Sequence, residues 1–236
     1  MTKRLASTAP GDQATPGANP LEAWFRANQG RAVNKWPHYF PVYDRHLARY
    51  RGGDVTVAEF GVWHGGSLQM WRDYFGPRSR VIGVDIDPRC TAAAGEGITV
   101  VTGDQEDREF LAGLAARAGP FDVVIDDGGH SMAQQLATFE VMWPALAEGG
   151  TFLVEDVHTS YWPDYGGGYR RAGTFTEHAK DMIDRINAWH SRDPEFQPDY
   201  WTKTVAGMHA YDSVIVFDKG THGEPGPPAV TGTASF

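Results

Sequence analysis

The chain has 236 residues, 41% of them hydrophobic and 22% charged, enough for one large α/β domain with a full core. A formal net charge of -9 argues against a duplex nucleic-acid binder, which needs a basic face for phosphate contacts, and no apolar run approaches the roughly 20 residues of a membrane span. Cys90 is the only cysteine and Lys3-Arg4 precede no apolar stretch, which excludes an intrachain disulfide and a cysteine-built metal site, predicts no secretory leader, and makes a cytoplasmic protein the simplest reading.

Residues 1–19 are rich in Ala, Pro, Gly and Thr and have almost nothing to bury, so a disordered tail is expected. A single domain is expected over 20–220. Pro20 opens a short helix through Trp24 and Phe25. A second helix follows Pro37, with Tyr39, Val42, Tyr43, His46, Leu47 and Tyr50 at i, i+3, i+4 spacing. Strands and helices then alternate, the pattern of a parallel sheet. Strands are predicted at 55–60, 80–85, 98–101, 121–126 and 151–155. Helices are predicted at 67–75 and 107–118. A third helix opens at Ser131 as N-cap, carries Leu136, Phe139, Trp143 and Leu146 on one face, and is stopped by Gly149-Gly150. Residues 161–175 are aromatic, Gly-rich and irregular, and read as a functional loop. A helix at 176–189 leads to strands at 203–208 and 213–218, joined by His209-Ala210-Tyr211-Asp212. The Gly/Pro-rich stretch 221–236 is expected to be flexible. Five β-α alternations closed by a hairpin differ from the plain dinucleotide-binding fold. They resemble the Rossmann-like class I methyltransferase fold: α/β, a mostly parallel seven-stranded sheet of order 3-2-1-4-5-7-6, helices on both faces and a C-terminal antiparallel hairpin.

The first strand-to-helix turn reads Glu59-Phe60-Gly61-Val62-Trp63-His64-Gly65-Gly66-Ser67. Its glycines miss the G-x-G-x-x-G spacing, so a dinucleotide pyrophosphate is a poor fit. Glu59, two residues before Gly61, suits the cationic end of a ligand. A tight packing turn is the other reading of this loop. Asp85 ends the second strand, where an acid can accept the hydroxyls of a ribose. Gly103-Asp104-Gln105 ends the third and could edge an adenine. Strand-end acids are common as solvated or capping groups; three at successive strand ends point to one nucleoside-bearing ligand.

Strand four delivers Asp126-Asp127-Gly128-Gly129-His130, and strand five delivers Glu155-Asp156. Neighbouring strands lie about 4.8 Å apart, so these four carboxylates would repel unless protonated or bridged by a cation. All are oxygen donors, which favours a hard ion such as Mg²⁺ over zinc. Adjacent residues of a regular strand point to opposite faces, so Glu155 and Asp156 can both reach one ion only if the backbone has left strand geometry. His130 follows the acid pair across a flexible Gly-Gly, and an imidazole suits proton removal near neutral pH.

On these residues the chain resembles the metal-dependent O-methyltransferases that act on macrolide sugars, of the mycinamicin and macrocin type. The matching pieces are the motif at 59–67, Val84-Asp85-Ile86-Asp87, Gly103-Asp104-Gln105, Asp126-Asp127-Gly128-Gly129-His130, and Glu155-Asp156 followed by Tyr161-Trp162-Pro163. The Lys35-Trp36-Pro37-His38-Tyr39 stretch and the closing hairpin add to them. The resemblance implies S-adenosylmethionine as methyl donor, held by Glu59, Gly61, Ser67, Asp85, Asp104, Gln105 and Asp126. It implies Mg²⁺ on Asp127, Glu155 and Asp156, with His130 as general base and Asp127 beside it. It further implies a glycosylated small-molecule acceptor and a homo-oligomer. The family position before His130 is often Ser and here is Gly129. Some relatives carry an additional N-terminal domain, for which this chain is too short. A hydroxylase or other oxidoreductase on the same fold, a metal-dependent hydrolase, and a binding protein without turnover are the competing readings.

Overall fold

The computed structural model describes residues 19–229 together with 231 and 232. The expected disordered tail therefore lies outside the described residues, apart from Asn19, whose side chain caps the first helix.

Seven strands form one sheet of order β3-β2-β1-β4-β5-β7-β6. They are β1 (Thr56–Phe60), β2 (Arg80–Asp85), β3 (Ile98–Thr102), β4 (Phe121–Asp126), β5 (Leu146–Val154), β6 (Val205–Ala210) and β7 (Ile215–Lys219). The first five are mutually parallel, and β7 runs antiparallel to both β5 and β6. Among the described residues seven α-helices cover the sheet: α1 (Pro20–Ala27), α2 (Phe40–Leu47), α3 (Gly66–Phe75), α4 (Arg108–Ala118), α5 (Met132–Met142), α6 (Phe175–Ile186) and α7 (Tyr200–Thr204). This is the class I methyltransferase fold. Among the described residues no helix is long and apolar enough to cross a membrane.

Each face of the sheet has its own core because strand side chains alternate. Val57, Val81, Val123, Ile125, Leu153 and Val216 pack against α1, α2 and α3. Ala58, Ile82, Val124, Phe152, Val154 and Phe217 pack against α4, α5 and α6. Phe139 of α5 centres the second core. Its ring lies 4.6 Å from Phe217, 5.1 Å from Phe152 and, stacked, 5.3 Å from Trp201.

Several boundaries differ from the sequence expectation. The helix opened by Ser131 stops at Met142, not at Gly149-Gly150. Pro144 cannot continue an α-helix, the chain tightens into a 3-10 turn over Trp143–Ala145, and β5 already begins at Leu146 opposite Phe121. Gly149 and Gly150 therefore lie within a nine-residue strand. The closing hairpin starts later than expected because Asp199 and Thr202 form a capping box that makes 200–204 helical. The turn falls at 211–214. The 161–174 part of the expected loop lacks α-helix and strand, with 3-10 turns at Val157–Tyr161 and Pro163–Tyr165, and Phe175 already opens α6.

The register aligns the C-terminal ends that matter. Phe60 pairs with Val84 and Asp126, and Asp126 pairs with Val154. The stitching continues one residue past the strands. Gly61 N–H donates to Val84 O (2.8 Å), Asp127 N–H to Phe60 O (2.9 Å) and Glu155 N–H to Asp126 O (2.9 Å). Gly61 has φ +92°, and a Cβ there would stand 2.0 Å from the Asp127 carbonyl oxygen. Its lack of a side chain is thus what lets the ends of β1 and β4 approach.

Two stability tests follow from this packing. Gly61→Ala should cost at least about 2 kcal/mol, from backbone strain plus overpacking, read as a lower midpoint in urea. His178 is partly buried against the second core, 5.5 Å ring to ring from Phe139, with Nε2 buried and unpartnered. Burial lowers its pKa below 6.5, so the folded state resists a proton that the unfolded chain accepts. Stability should therefore fall as pH drops through and below 6.5, and His178→Phe should flatten that slope in denaturant titrations at pH 5 to 7.

Candidate active site

The strand ends open onto a cavity of about 880 Å³. One side is walled by Gly61 to His64, Asp85 to Asp87 and Gly103 to Gln105. The other is walled by Asp127 to His130 and by Glu155 and Asp156. Residues 31–36, which cross in front of the N-terminus of α3, close it.

Asp127, His130 and Asp156 each present a donor atom, all within 4.8 Å of one another. His130 Nε2 is 3.4 Å from Asp156 Oδ2. The strand-geometry difficulty is resolved at Asp156 itself. Its φ of 53° and ψ of 34° are left-handed, so the chain turns out of β5 without a glycine and both Glu155 and Asp156 line the cavity. His130 (φ 57°) and Trp63 (φ 49°) are also left-handed. Strained backbone of this kind, costing on the order of 1 kcal/mol or more per residue, persists where the surroundings over-determine it. Here Thr159 Oγ1 donates to both His130 O (2.8 Å) and Asp156 O (3.0 Å), tying the two loops together. Tyr39 O–H donates to Asp156 Oδ1 at 2.5 Å.

A cation of the chain itself, which the sequence reading did not anticipate, lies among the acids. Lys35 Nζ lies 2.6 Å from Asp127 Oδ2, 2.9 Å from both oxygens of Glu155 and 3.7 Å from Glu59 Oε1. Its side chain is 2% exposed, and its ammonium lies 5.8 and 5.9 Å from the ring centroids of Tyr43 and Trp71. Burial alone would lower the Lys35 pKa. The carboxylates of Asp127, Glu155 and Glu59 outweigh it and raise the pKa well above the usual value. Burial pushes Glu59 up to about 7, with Lys35 opposing. Glu155 is raised by burial and by Asp127, again with Lys35 opposing.

Two of the expected ligand-facing acids do not reach the cavity. Glu59 is fully buried, accepting from Ser67 Oγ (2.7 Å) and Trp71 Nε1 (2.8 Å). The cation beside it is Lys35. Asp126 is also fully buried and points away from Asp127, as strand alternation requires. It accepts from Gln105 Nε2 at 2.5 Å, and burial pushes its pKa up to about 7. The acid cluster is thus Asp127, Glu155 and Asp156 with Glu59 beneath, not the two adjacent pairs.

The other expected residues line the cavity. Asp85 accepts from the N–H groups of Val62 (2.8 Å), Trp63 (3.0 Å) and Asp87 (2.9 Å), which fixes its carboxylate and lowers its pKa despite partial burial. Gln105 clamps two loops, accepting from Gly129 N–H (3.2 Å) while donating to Asp126. Gly128 and Gly129 leave room for this. A Cβ on Gly128 would sit 2.0 Å from Gln105 Oε1, and one on Gly129 2.3 Å from Gln134 Oε1. Asp104 is exposed and caps its own turn through Glu106 N–H. Ser67 is bound to Glu59.

Sequence reading gave Lys35 no role and missed residues 31–34. A lone lysine in an irregular segment carries no periodic signal. One trace existed: Gly65-Gly66, where a Cβ on Gly66 would meet the Ala32 and Arg31 carbonyls at 2.4 and 2.5 Å. The aromatic residues of the loop read as functional, Tyr161, Trp162, Tyr165 and Tyr169, do not line the cavity; Trp36 and Trp63, which the sequence reading did not single out, do, and both are exposed.

Lys35→Met should destabilise the fold by about 3–5 kcal/mol, the range for stripping one partner from a buried ion pair. Urea denaturation with unchanged m-value would register it.

Residues 58–157 match a family model described as a methyltransferase domain. The chain is 39% identical over 203 residues to mycinamicin VI 2''-O-methyltransferase of Micromonospora griseorubida, covering 81% of this chain and 50% of the relative. It is 38% identical over 210 residues to demethylmacrocin O-methyltransferase of Streptomyces fradiae, covering 82% and 52%. Among solved structures, the MycE methyltransferase of the mycinamycin pathway, in complex with Mg and SAH, aligns with a TM-score of 0.78 at 36% identity, over 89% of this chain and 56% of that one. The chain spans about half the length of these relatives. The hydroxylase and hydrolase readings have no counterpart among them. Motifs, fold and likenesses agree: the chain carries a methyltransferase domain, and over about four fifths of its length it is similar to these O-methyltransferases.

Proposed function

We propose that this chain transfers a methyl group from S-adenosylmethionine to a hydroxyl of a glycosylated or other diol-bearing small molecule, with Mg²⁺ at the acid cluster. The observation that carries this reading is the convergence of Asp127, His130 and Asp156 within 4.8 Å in a cavity whose other wall holds Gly61, Asp85 and Asp104. The complex of MycE with Mg and SAH supports both ligands.

The donor set fits a hard divalent ion. Asp127 and Asp156 offer carboxylate oxygens on the cavity side, and His130 Nδ1 is buried without a partner. Asp127, Glu155 and Asp156 would hold the ion. Bound there, it supplies Lewis-acid polarisation and orientation of the acceptor hydroxyls. One observation favours a variant of this assignment. Both Glu155 oxygens face Lys35, and the group whose donor atoms converge contains His130 in place of Glu155. In that variant His130 is a ligand.

In the main reading His130 is the base. Burial lowers its pKa, with Asp127 and Asp156 opposing, so the imidazole is neutral near pH 7. It accepts the acceptor's proton at Nε2, where Asp156 Oδ2 stabilises the imidazolium. Asp85, fixed by three backbone N–H groups, presents its carboxylate to the ribose hydroxyls of the donor. Trp36 and Trp63 flank the mouth with open aromatic faces, which suit a sugar ring or an apolar aglycone. Orientation of the attacking oxygen in line with the methyl supplies much of the acceleration.

Calorimetric titration of S-adenosylmethionine and S-adenosylhomocysteine, with and without Mg²⁺, tests the reading. Both should bind; binding of neither would overturn it. His130→Ala should keep S-adenosylhomocysteine and Mg²⁺ affinity and lose about 10²–10⁴ in turnover. Loss of Mg²⁺ affinity in that variant would establish the ligand assignment instead.

A further inference from the structure

A second convergence of metal-binding side chains lies away from the cavity, at the hairpin edge of the sheet. His46 on α2, His209 on β6 and Asp218 on β7 each offer a donor atom, all within 4.8 Å of one another. The register explains the meeting. Gly207 pairs with Asp218 and His209 with Val216, so His209 and Asp218 are diagonal neighbours on one face of the hairpin. Val216, two residues before Asp218 and on the same face, is buried in the core that α2 covers. The face carrying His209 and Asp218 is therefore the one against which α2 lays His46.

The local geometry is that of an oriented donor set. His209 Nε2 is 3.2 Å from Asp218 Oδ2. The two imidazole centroids are 4.6 Å apart, and Tyr211 Oη lies 2.9 Å from His46 Nε2. Asp218 Oδ1 is held separately, by Arg49 (2.8 Å) and Thr151 Oγ1 (3.2 Å), which leaves Oδ2 to the histidine side. His46 is 7% exposed, while His209 is exposed and gives a path from solvent.

We propose that His46, His209 and Asp218 form a site for a divalent transition-metal ion, zinc foremost, that clips α2 to the C-terminal hairpin. Two imidazoles and a carboxylate, with water or Tyr211 in a fourth position, form a donor set that zinc takes readily, whereas Mg²⁺ prefers oxygen alone. Arg49 and Thr151 play the supporting part that outer partners play for a ligating carboxylate. Donors about 2.0–2.2 Å from a tetrahedral ion lie roughly 3.4 Å apart. The donor atoms, within 4.8 Å of one another, close to that spacing by side-chain movement of at most about 1.4 Å, within reach of exposed His209. The two clusters would thus select different ions by donor type.

The test uses the whole chain, stripped with a chelator and returned to excess Mg²⁺ so that the acid cluster is supplied with its hard ion. It is then titrated with Zn²⁺, and in parallel with Co²⁺ as a spectroscopic probe. The expected result is uptake of one Zn²⁺ at micromolar concentration, a raised melting temperature, and visible Co²⁺ bands of a tetrahedral site with nitrogen ligands. His209→Ala should weaken Zn²⁺ binding at least about tenfold and remove the Co²⁺ bands, with S-adenosylhomocysteine binding unchanged. No zinc uptake by the wild type at micromolar concentration would overturn the proposal. So would a His209→Ala variant that binds as tightly as the wild type, because any ion bound would then sit elsewhere.

Discussion

The buried ammonium of Lys35 is the contact on which the geometry of the acid cluster depends. Glu59, Asp127 and Glu155 come from three adjacent strands and are brought together by the register itself. Without an internal cation, such a cluster would be neutralised by protons or splayed by repulsion. Lys35 meets all three, at 2.6 Å from Asp127, 2.9 Å from Glu155 and 3.7 Å from Glu59. Such a cluster contributes little net stability, because each charge gives up its hydration. It contributes placement: the carboxylates are held at fixed positions on rigid strand ends.

The backbone completes what the charge begins. Gly61 lets β1 and β4 close on each other, and the left-handed turn at Asp156 brings a second consecutive acid into the cavity. Left-handed His130 and Asp156 are each costly alone. Thr159 bonds both their carbonyls, so one side chain supports both strained residues. The site is thus built on the ends of the sheet, with loops held by single polar clips: Thr159 on one side of His130, Gln105 on the other.

The sheet was legible in the sequence because burial on both faces writes short apolar runs, and most strand limits followed to within a residue or two. The exceptions were instructive. Leu146 fits the helical period of Leu136, Phe139 and Trp143, yet it begins β5, because Pro144 breaks the helix before the glycines do. The acids at the strand ends were legible as a group, but their partition was not. Period-two alternation sends Asp126 to Gln105 and Asp127 to the cavity, and only the left-handed turn exempts Asp156 from the same rule. Lys35 carried no pattern of its own. Its importance comes from contacts spanning 92 and 120 residues, which no local window contains.

Lys35 also joins two functions that the sequence presents separately. The segment that delivers it, residues 31–36, forms the wall of the cavity beside Gly61 and Asp85, and Gly66 is shaped to receive its carbonyls. The same stretch runs on through Pro37 to Tyr39, whose hydroxyl holds Asp156. Residues 31–39 therefore wall the cavity beside Gly61 and Asp85, bring the cation to Asp127 and Glu155, and hold Asp156. The wall of the cavity beside Gly61 and Asp85 and the charge balance in the acid cluster are consequently set together, by one irregular stretch of chain lying across two ordered strand ends.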